Sequence, residues 1–131
     1  MQLLTPVSPG ELLDKLSILD IKAERMTDSE KLVNVQRERE LLGHVWNQSG
    51  LETDEIVLLR KQLKAVNEKL WEIEDAIREE ERNRRFGDRF IELARSVYVV
   101  NDERAGLKKA INLALGSEIV EEKSYRDYRP G

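Results

Sequence analysis

The sequence predicts an all-α protein, a helical bundle built on a long antiparallel coiled-coil hairpin, and three observations carry that prediction. Between residues 56 and 114 a seven-residue apolar repeat runs through two consecutive stretches. Ile56, Leu59, Leu63, Val66, Leu70, Ile73 and Ile77 follow one another at alternating spacings of three and four; Phe86, Phe90, Leu93, Val97, Val100, Leu107, Ile111 and Ala114 do the same with one interruption, at Arg104. Such spacing puts each set on one narrow stripe of a helix, the pattern of a coiled-coil seam. The break between the stretches falls within residues 83–88, a connection short enough to make the two helices antiparallel neighbours. Composition is the third observation. Charged residues make up 37% of the chain while the signs nearly cancel at a net of −4, and with strongly periodic apolar residues that describes a solvated helical protein rather than a disordered one.

Each helix has its own start and stop signals. Residues 1–7 read as an extended lead-in. Ser8, Pro9 and Glu11 open the first helix, about 9–26: serine caps, proline fits the first turn and the acid faces the positive end of the helix dipole. Leu12, Leu16, Leu19, Ala23 and Met26 form its main stripe. Ile18 and Ile21 project from the opposite side, where a monomer is expected to leave them wet; they read either as two isolated exposed side chains or as a second contact surface, for another helix or for another subunit. Thr27, Asp28 and Ser29 turn the chain into a second helix, about 29–47, with Leu32, Val35, Leu42 and Trp46 on one face and Arg39 in the slot between Val35 and Leu42. Asn47 to Gly50 end it with turn residues. Glu52, Thr53 and Asp54 open the third helix, about 54–82. The fourth, about 88–115, stops at Gly116, and a polar tail rich in Tyr, Arg and Lys, 117–131, follows. Aligning Ile77 with Phe90 across the hairpin sets Leu63 near Arg104.

Length and composition also exclude much. At 131 residues the chain reads as a single helical domain, 1–131, with an aliphatic core, since it has only two Phe, two Trp and three Tyr. Without cysteine there is no disulfide, thiol nucleophile or Cys-based zinc site. No run approaches the ~20 apolar residues of a membrane span, and the N-terminus lacks the layout of a signal peptide, so the expectation is a cytoplasmic protein that does not enter a membrane. Mild acidity argues against broad nucleic-acid binding.

Arg104 is the most informative residue. A charge forced into an apolar seam needs a partner, because leaving it desolvated and alone costs several kcal/mol. Either an acid of the chain supplies it, with Glu11, Asp14 and Glu74 as candidates, or the side chain snorkels to water, or an anionic ligand pairs with it. The flank of the fourth helix is compatible with a ligand: Ile91, Ala94, Tyr98, Asn101, Ala105, Lys108 and Asn112 share one side, small residues leaving room and Tyr, Asn and Lys offering stacking, paired hydrogen bonds and positive charge, although a helix packed on two sides with one wet edge shows nearly the same residues. The tail, Glu122 to Arg129, interleaves aromatics with basic groups and is placed to close over such a pocket or to dock on a second subunit. The pocket reading carries a condition. If one of the protein's own acids clasps Arg104, that argument goes and the scaffold remains.

Other candidates read as ordinary surface. Arg82, Arg84, Arg85 and Arg89 at the hairpin tip are offset by Glu79, Glu80, Glu81 and Asp88. Glu72, Asp75 and Glu79 have the one-turn spacing of magnesium-binding carboxylates, but they lie off the seam and the fourth helix offers no facing acidic pair. His44 stands without a second ligand or a nucleophile, and no serine elbow or phosphate loop is present. No catalytic residue, metal or cofactor is expected.

Four blocks carry a resemblance: Ser8 to Leu19, Val66 to Asp75, Phe90 to Tyr98 with Asn101 to Ala105, and Glu121 to Tyr125. In this order they resemble a family of small bacterial and phage proteins of unknown function. The resemblance implies an all-helical single domain in an intracellular setting and assigns no activity.

The functional expectation is a non-enzymatic, homo-oligomeric binding protein that holds a small anionic, nucleotide-like ligand, as a phage-type protein sequestering a nucleotide-derived signal would. Arg104 neutralises the phosphate, Tyr98 stacks, Asn101 and Lys108 hydrogen-bond, and Lys123 and Tyr125 close the site. The competing readings are a helical protein-interaction or scaffold module and, third, a metal-dependent nucleotide pyrophosphohydrolase.

Overall fold

The computed structural model describes residues 1–130. It is all-helical, with α1 (Pro9–Arg25), α2 (Ser29–Ser49), α3 (Asp54–Arg82) and α4 (Asp88–Ala114), and no strand occurs among the described residues. Local chemistry sets the helix starts. The Ser8 hydroxyl accepts from the Glu11 N–H at 3.1 Å with Pro9 at the first helical position; the Asp28 carboxylate accepts from the Glu30 and Lys31 N–H groups, and the Thr53 hydroxyl from that of Ile56. Each satisfies a donor that the first turn of a helix leaves without a partner.

Two helix ends share one hydrogen-bond pattern and differ in the residue that carries it. After α4, Gly116 N–H donates to the Leu113 carbonyl and Ser117 N–H to that of Asn112, with Gly116 at φ 64°. After α3, Arg84 N–H donates to Glu81 and Arg85 N–H to Glu80, with Arg84 at φ 54°. Both are Schellman-type closures needing a left-handed residue. Glycine takes that conformation freely, whereas a side chain there costs about 1 kcal/mol.

The helix with neighbours on most sides is α1, which packs against α2, α3 and α4. Leu12, Leu13, Leu16, Leu19 and Ile21 are all buried along it, and Leu12, Leu13 and Leu16 join Trp46, Ile56, Leu63 and Ile111 in one core cluster. This corrects the expectation for the far side of α1. Ile21 is 1% exposed within the single chain and Ile18 is half-buried, because α2 lies against α1 as well as α3 and α4. That side offers no apolar face for a second subunit.

Cover along α3 and α4 is uneven. At the core end Ile56, Leu63 and Ile111 are fully buried; further out Leu93 stays buried at 6% exposed, while Leu70, Ile73, Ile77, Phe90 and Val97 are only partly covered. The reason is the length of α1. It ends at Arg25, whose guanidinium reaches Glu68 and Glu72 of α3 at 3.5 and 3.4 Å. Beyond that point α3 and α4 have only each other.

Candidate functional site

One turn of α1 and two turns of α4 build the base of the site. The first turn of α1 comes so close to α4 that its second residue must lack a side chain: Gly10 N–H donates to Asn112 Oδ1 at 2.7 Å, and an added Cβ at Gly10 would run into the Lys108 carbonyl oxygen. That approach brings Glu11 and Asp14 to α4. Asp14, 1% exposed, takes the Arg104 guanidinium through both oxygens, from Nε at 2.9 Å and Nη2 at 2.5 Å. Asn67 of α3 donates to Asp14 Oδ1 at 2.9 Å and to Ser17 Oγ at 2.7 Å. The hydrogen bonds that Arg104 donates to Asp14, together with the charge of Asp14, hold the guanidinium above its ordinary pKa against the opposing effect of burial. Arg104 is therefore matched internally. The condition attached to the pocket reading is met by Asp14, and the phosphate-neutralising role expected of Arg104 is withdrawn.

One turn further along α4, Lys108 Nζ sits between Glu11 at 2.6 Å and Glu121 of the tail at 3.3 Å. Burial works to lower the Lys108 pKa, but the hydrogen bond to Glu11 and the charges of Asp14, Glu11 and Glu121 outweigh it, and the net shift is upward. Glu11 is shifted down, first by its hydrogen bond with Lys108. Lys109 holds Glu122 at 3.2 Å and Lys123 Nζ donates to Asp102 at 2.9 Å, so three cross-links tie the tail to α4.

Between α4 and the tail lies a cleft of about 840 Å³. Every residue expected at a ligand site lines it: Tyr98, Asn101, Arg104 and Lys108 from α4, and Lys123 and Tyr125 from the tail. Ala105 lines it too. The rings of Tyr98 and Tyr128 lie 5.0 Å apart, centroid to centroid and tilted by 50°, and Lys123 Nζ stands 5.8 Å from the centre of the Tyr125 ring. Tyr125 is the most open of these, 87% exposed. Ile119 is 42% exposed, so it does not seal the tail against the bundle.

Two tail residues matter more than the sequence alone indicates. Tyr128 faces Tyr98 across the cleft, and Arg126 lines it without an ion pair among the described residues. The interleaving of aromatic and basic groups in the tail is the signal that points to them. Other candidates take structural parts. Glu72 pairs with Arg25, the Glu79 carboxylate accepts from Asn83 Nδ2, His44 is exposed, and Arg39 is matched by Asp20 at 2.6 Å. Among the described residues no group of three His, Cys, Asp or Glu side chains could hold a metal ion, and no helix is long and apolar enough to cross a membrane.

The DUF6165 family model, a family of unknown function, matches residues 3–129, which takes in α1 through α4 and the tail that walls the cleft. The chain belongs to that family. No curated protein and no solved structure matches it.

Proposed function

We propose that this DUF6165 member is a non-enzymatic binding protein that holds a small anionic ligand bearing a ring, of nucleotide type, in the cleft between α4 and the tail. The argument that began from an unpaired seam arginine is gone. The supporting observation is a different one: all three tyrosines of the chain line one cleft together with Lys123 and Arg126. Aromatic faces beside cations suit a molecule with a ring at one end and negative charge at the other, and the cleft volume falls within the ordinary range of small-molecule sites. Arg126 supplies charge that no acid of the described chain takes up. Lys123 reaches an anion by leaving Asp102, an exposed pair worth little. Tyr98, Tyr125 and Tyr128 stack, Asn101 pairs with polar edges of the ring, and Lys108, set between two carboxylates, orders the wall. Arg104 acts by holding α4 to α1. The biological role of such a site is sequestration, in an assembly of more than one copy.

Thermal shift against a panel of mononucleotides and cyclic oligonucleotides is the test. A true ligand at a hundred times its dissociation constant adds ~2.7 kcal/mol of stability, a rise of several degrees, and Tyr125→Ala with Arg126→Ala removes it. A flat panel ends the proposal. Release of product from the same panel with magnesium would move the reading to a metal-dependent nucleotide hydrolase.

A second reading is favoured by the Asp14 clasp itself. With Arg104 matched inside the fold, the α3–α4 pair, taken as an antiparallel coiled-coil hairpin, serves as a scaffold and the exposed apolar surface recruits a protein.

A further inference from the structure

Six basic side chains line the cleft between α4 and the tail, and among the described residues five of them already have an acid of the chain. Arg104 is taken by Asp14, Lys108 by Glu11 and Glu121, Lys109 by Glu122, Lys123 by Asp102 and Arg129 by Asp127. That leaves Arg126. Because Lys108 serves two carboxylates, the acids that line or back the cleft equal its cations in number. The chain as a whole carries a net charge of −4 and adds no attraction for an anion from further away.

Such a wall discriminates by the number of charges on what enters it. One negative charge meets Arg126 with no pair to break. Each further charge has to displace a carboxylate from the cation it holds, leaving that carboxylate beside the ligand, or to lie among the carboxylates unpaired, and like charges at short range repel. Lys123 can turn to the same anion, but Asp102 then stays behind uncompensated, so the move adds a contact and no net positive charge. A phosphate monoester carries about −1.5 to −2 at neutral pH and a triphosphate more, whereas a phosphodiester carries a single charge.

The rings restrict the ligand's length. Tyr98 and Tyr128 lie 5.0 Å apart, and a ring inserted between them would need about 7 Å, two carbon–carbon contact distances, so these two occupy each other. Tyr125, 87% exposed, has the open face, and it precedes Arg126 in the chain with both side chains on the cleft. A stacked base and its anion must therefore fit within the reach of two consecutive residues, which suits a compact nucleotide and not a long polyphosphate.

We infer that the cleft selects a monoanion, a cyclic phosphodiester of a nucleoside, over nucleoside di- and triphosphates. The inference rests on the reading of the cleft as a nucleotide-type site and narrows it. Arg126 pairs with the phosphodiester, Tyr125 stacks on the base, and the tail carboxylates Glu121 and Glu122 turn away more highly charged nucleotides.

Calorimetric titration of the full chain at low salt without magnesium tests it, using for each of the bases adenine, guanine, cytosine and uracil the nucleoside, its 3′,5′-cyclic monophosphate, its 5′-monophosphate and its 5′-triphosphate. In the series that binds, the cyclic monophosphate is expected to bind roughly tenfold tighter than either the nucleoside or the triphosphate, with the 5′-monophosphate between. Arg126→Gln, at an exposed position, brings the cyclic form down to the affinity of the nucleoside and leaves the nucleoside unchanged. Glu121→Gln raises the affinity of the triphosphate more than that of the cyclic form. A triphosphate that binds as tightly as the cyclic monophosphate, an Arg126→Gln chain that keeps the preference, or a Glu121→Gln chain that keeps the full gap overturns this inference while the proposed function stands; a panel in which no series binds ends both.

Discussion

Arg104 and Lys108 stand one helical turn apart on α4, their own side chains 29% and 15% exposed, and the difference between them lies in the acids they meet. Arg104 is paired with an aspartate whose side chain is 2% exposed, tied in turn to Asn67 and through it to Ser17. Lys108 sits between Glu11 and Glu121, whose side chains are 39% and 54% exposed, and the neighbouring cross-links of Lys109 and Lys123 are at least as open. Burial raises the cost of losing one partner of a charge pair, while water and salt dilute the worth of an exposed one. The inner cluster therefore holds the bundle, and the outer one positions a tail that can be displaced.

Removing one partner from the inner cluster tests the contrast most severely. Arg104→Ala leaves Asp14 charged and buried with only Asn67 to satisfy it, and is expected to destabilise by about 3–5 kcal/mol, read as a lowered urea midpoint. Asp14→Ala should cost less, because Arg104 keeps 29% of its side chain in water and can turn outward. If the two cost the same, or Asp14→Ala costs more, burial is not what separates the clusters.

An intermediate effect is expected from pH. The folded Glu11 carboxyl titrates below its ordinary value of 4.5, so its contribution is fully present above that value and is lost as pH falls through the lower, folded one. Lys108 is shifted the other way, so its contribution fades only in strong alkali. The stability difference between wild type and Glu11→Gln, about 1 kcal/mol for a pair with a buried cation and a partly exposed acid, should hold at neutral pH and vanish in acid. A difference that persists there assigns the effect to packing.

The smallest effect belongs to the tail. Lys123→Ala removes an exposed pair with Asp102 and should change stability by no more than about 0.5 kcal/mol, while raising amide hydrogen exchange in residues 117–130. A loss near that of Arg104→Ala would place the tail among the elements that hold the bundle.

Much of this was legible beforehand, and for local reasons. Caps at Ser8 and Thr53 and the stop at Gly116 act through atoms within a few residues, so sequence suffices to find them. Arg39 and Arg104 are visible as breaks in apolar stripes. The tail and the α4 flank were marked by composition, and the fold sets them across one cleft. Burial of Ile21 was misread, because a helical wheel counts the faces of one helix and not the number of helices against it.

The sequence by itself determined that the chain is helical, where its helices begin and end, and which charges would need partners, since periodicity and capping depend on neighbours along the chain. For Arg104 it named three acids of the chain and a bound anion as possible partners without choosing among them. Only the tertiary structure decided for Asp14, ninety residues away in sequence, through the close approach of α1 and α4 that Gly10 permits. A contact at that separation depends on how helices pack, and no local pattern records it.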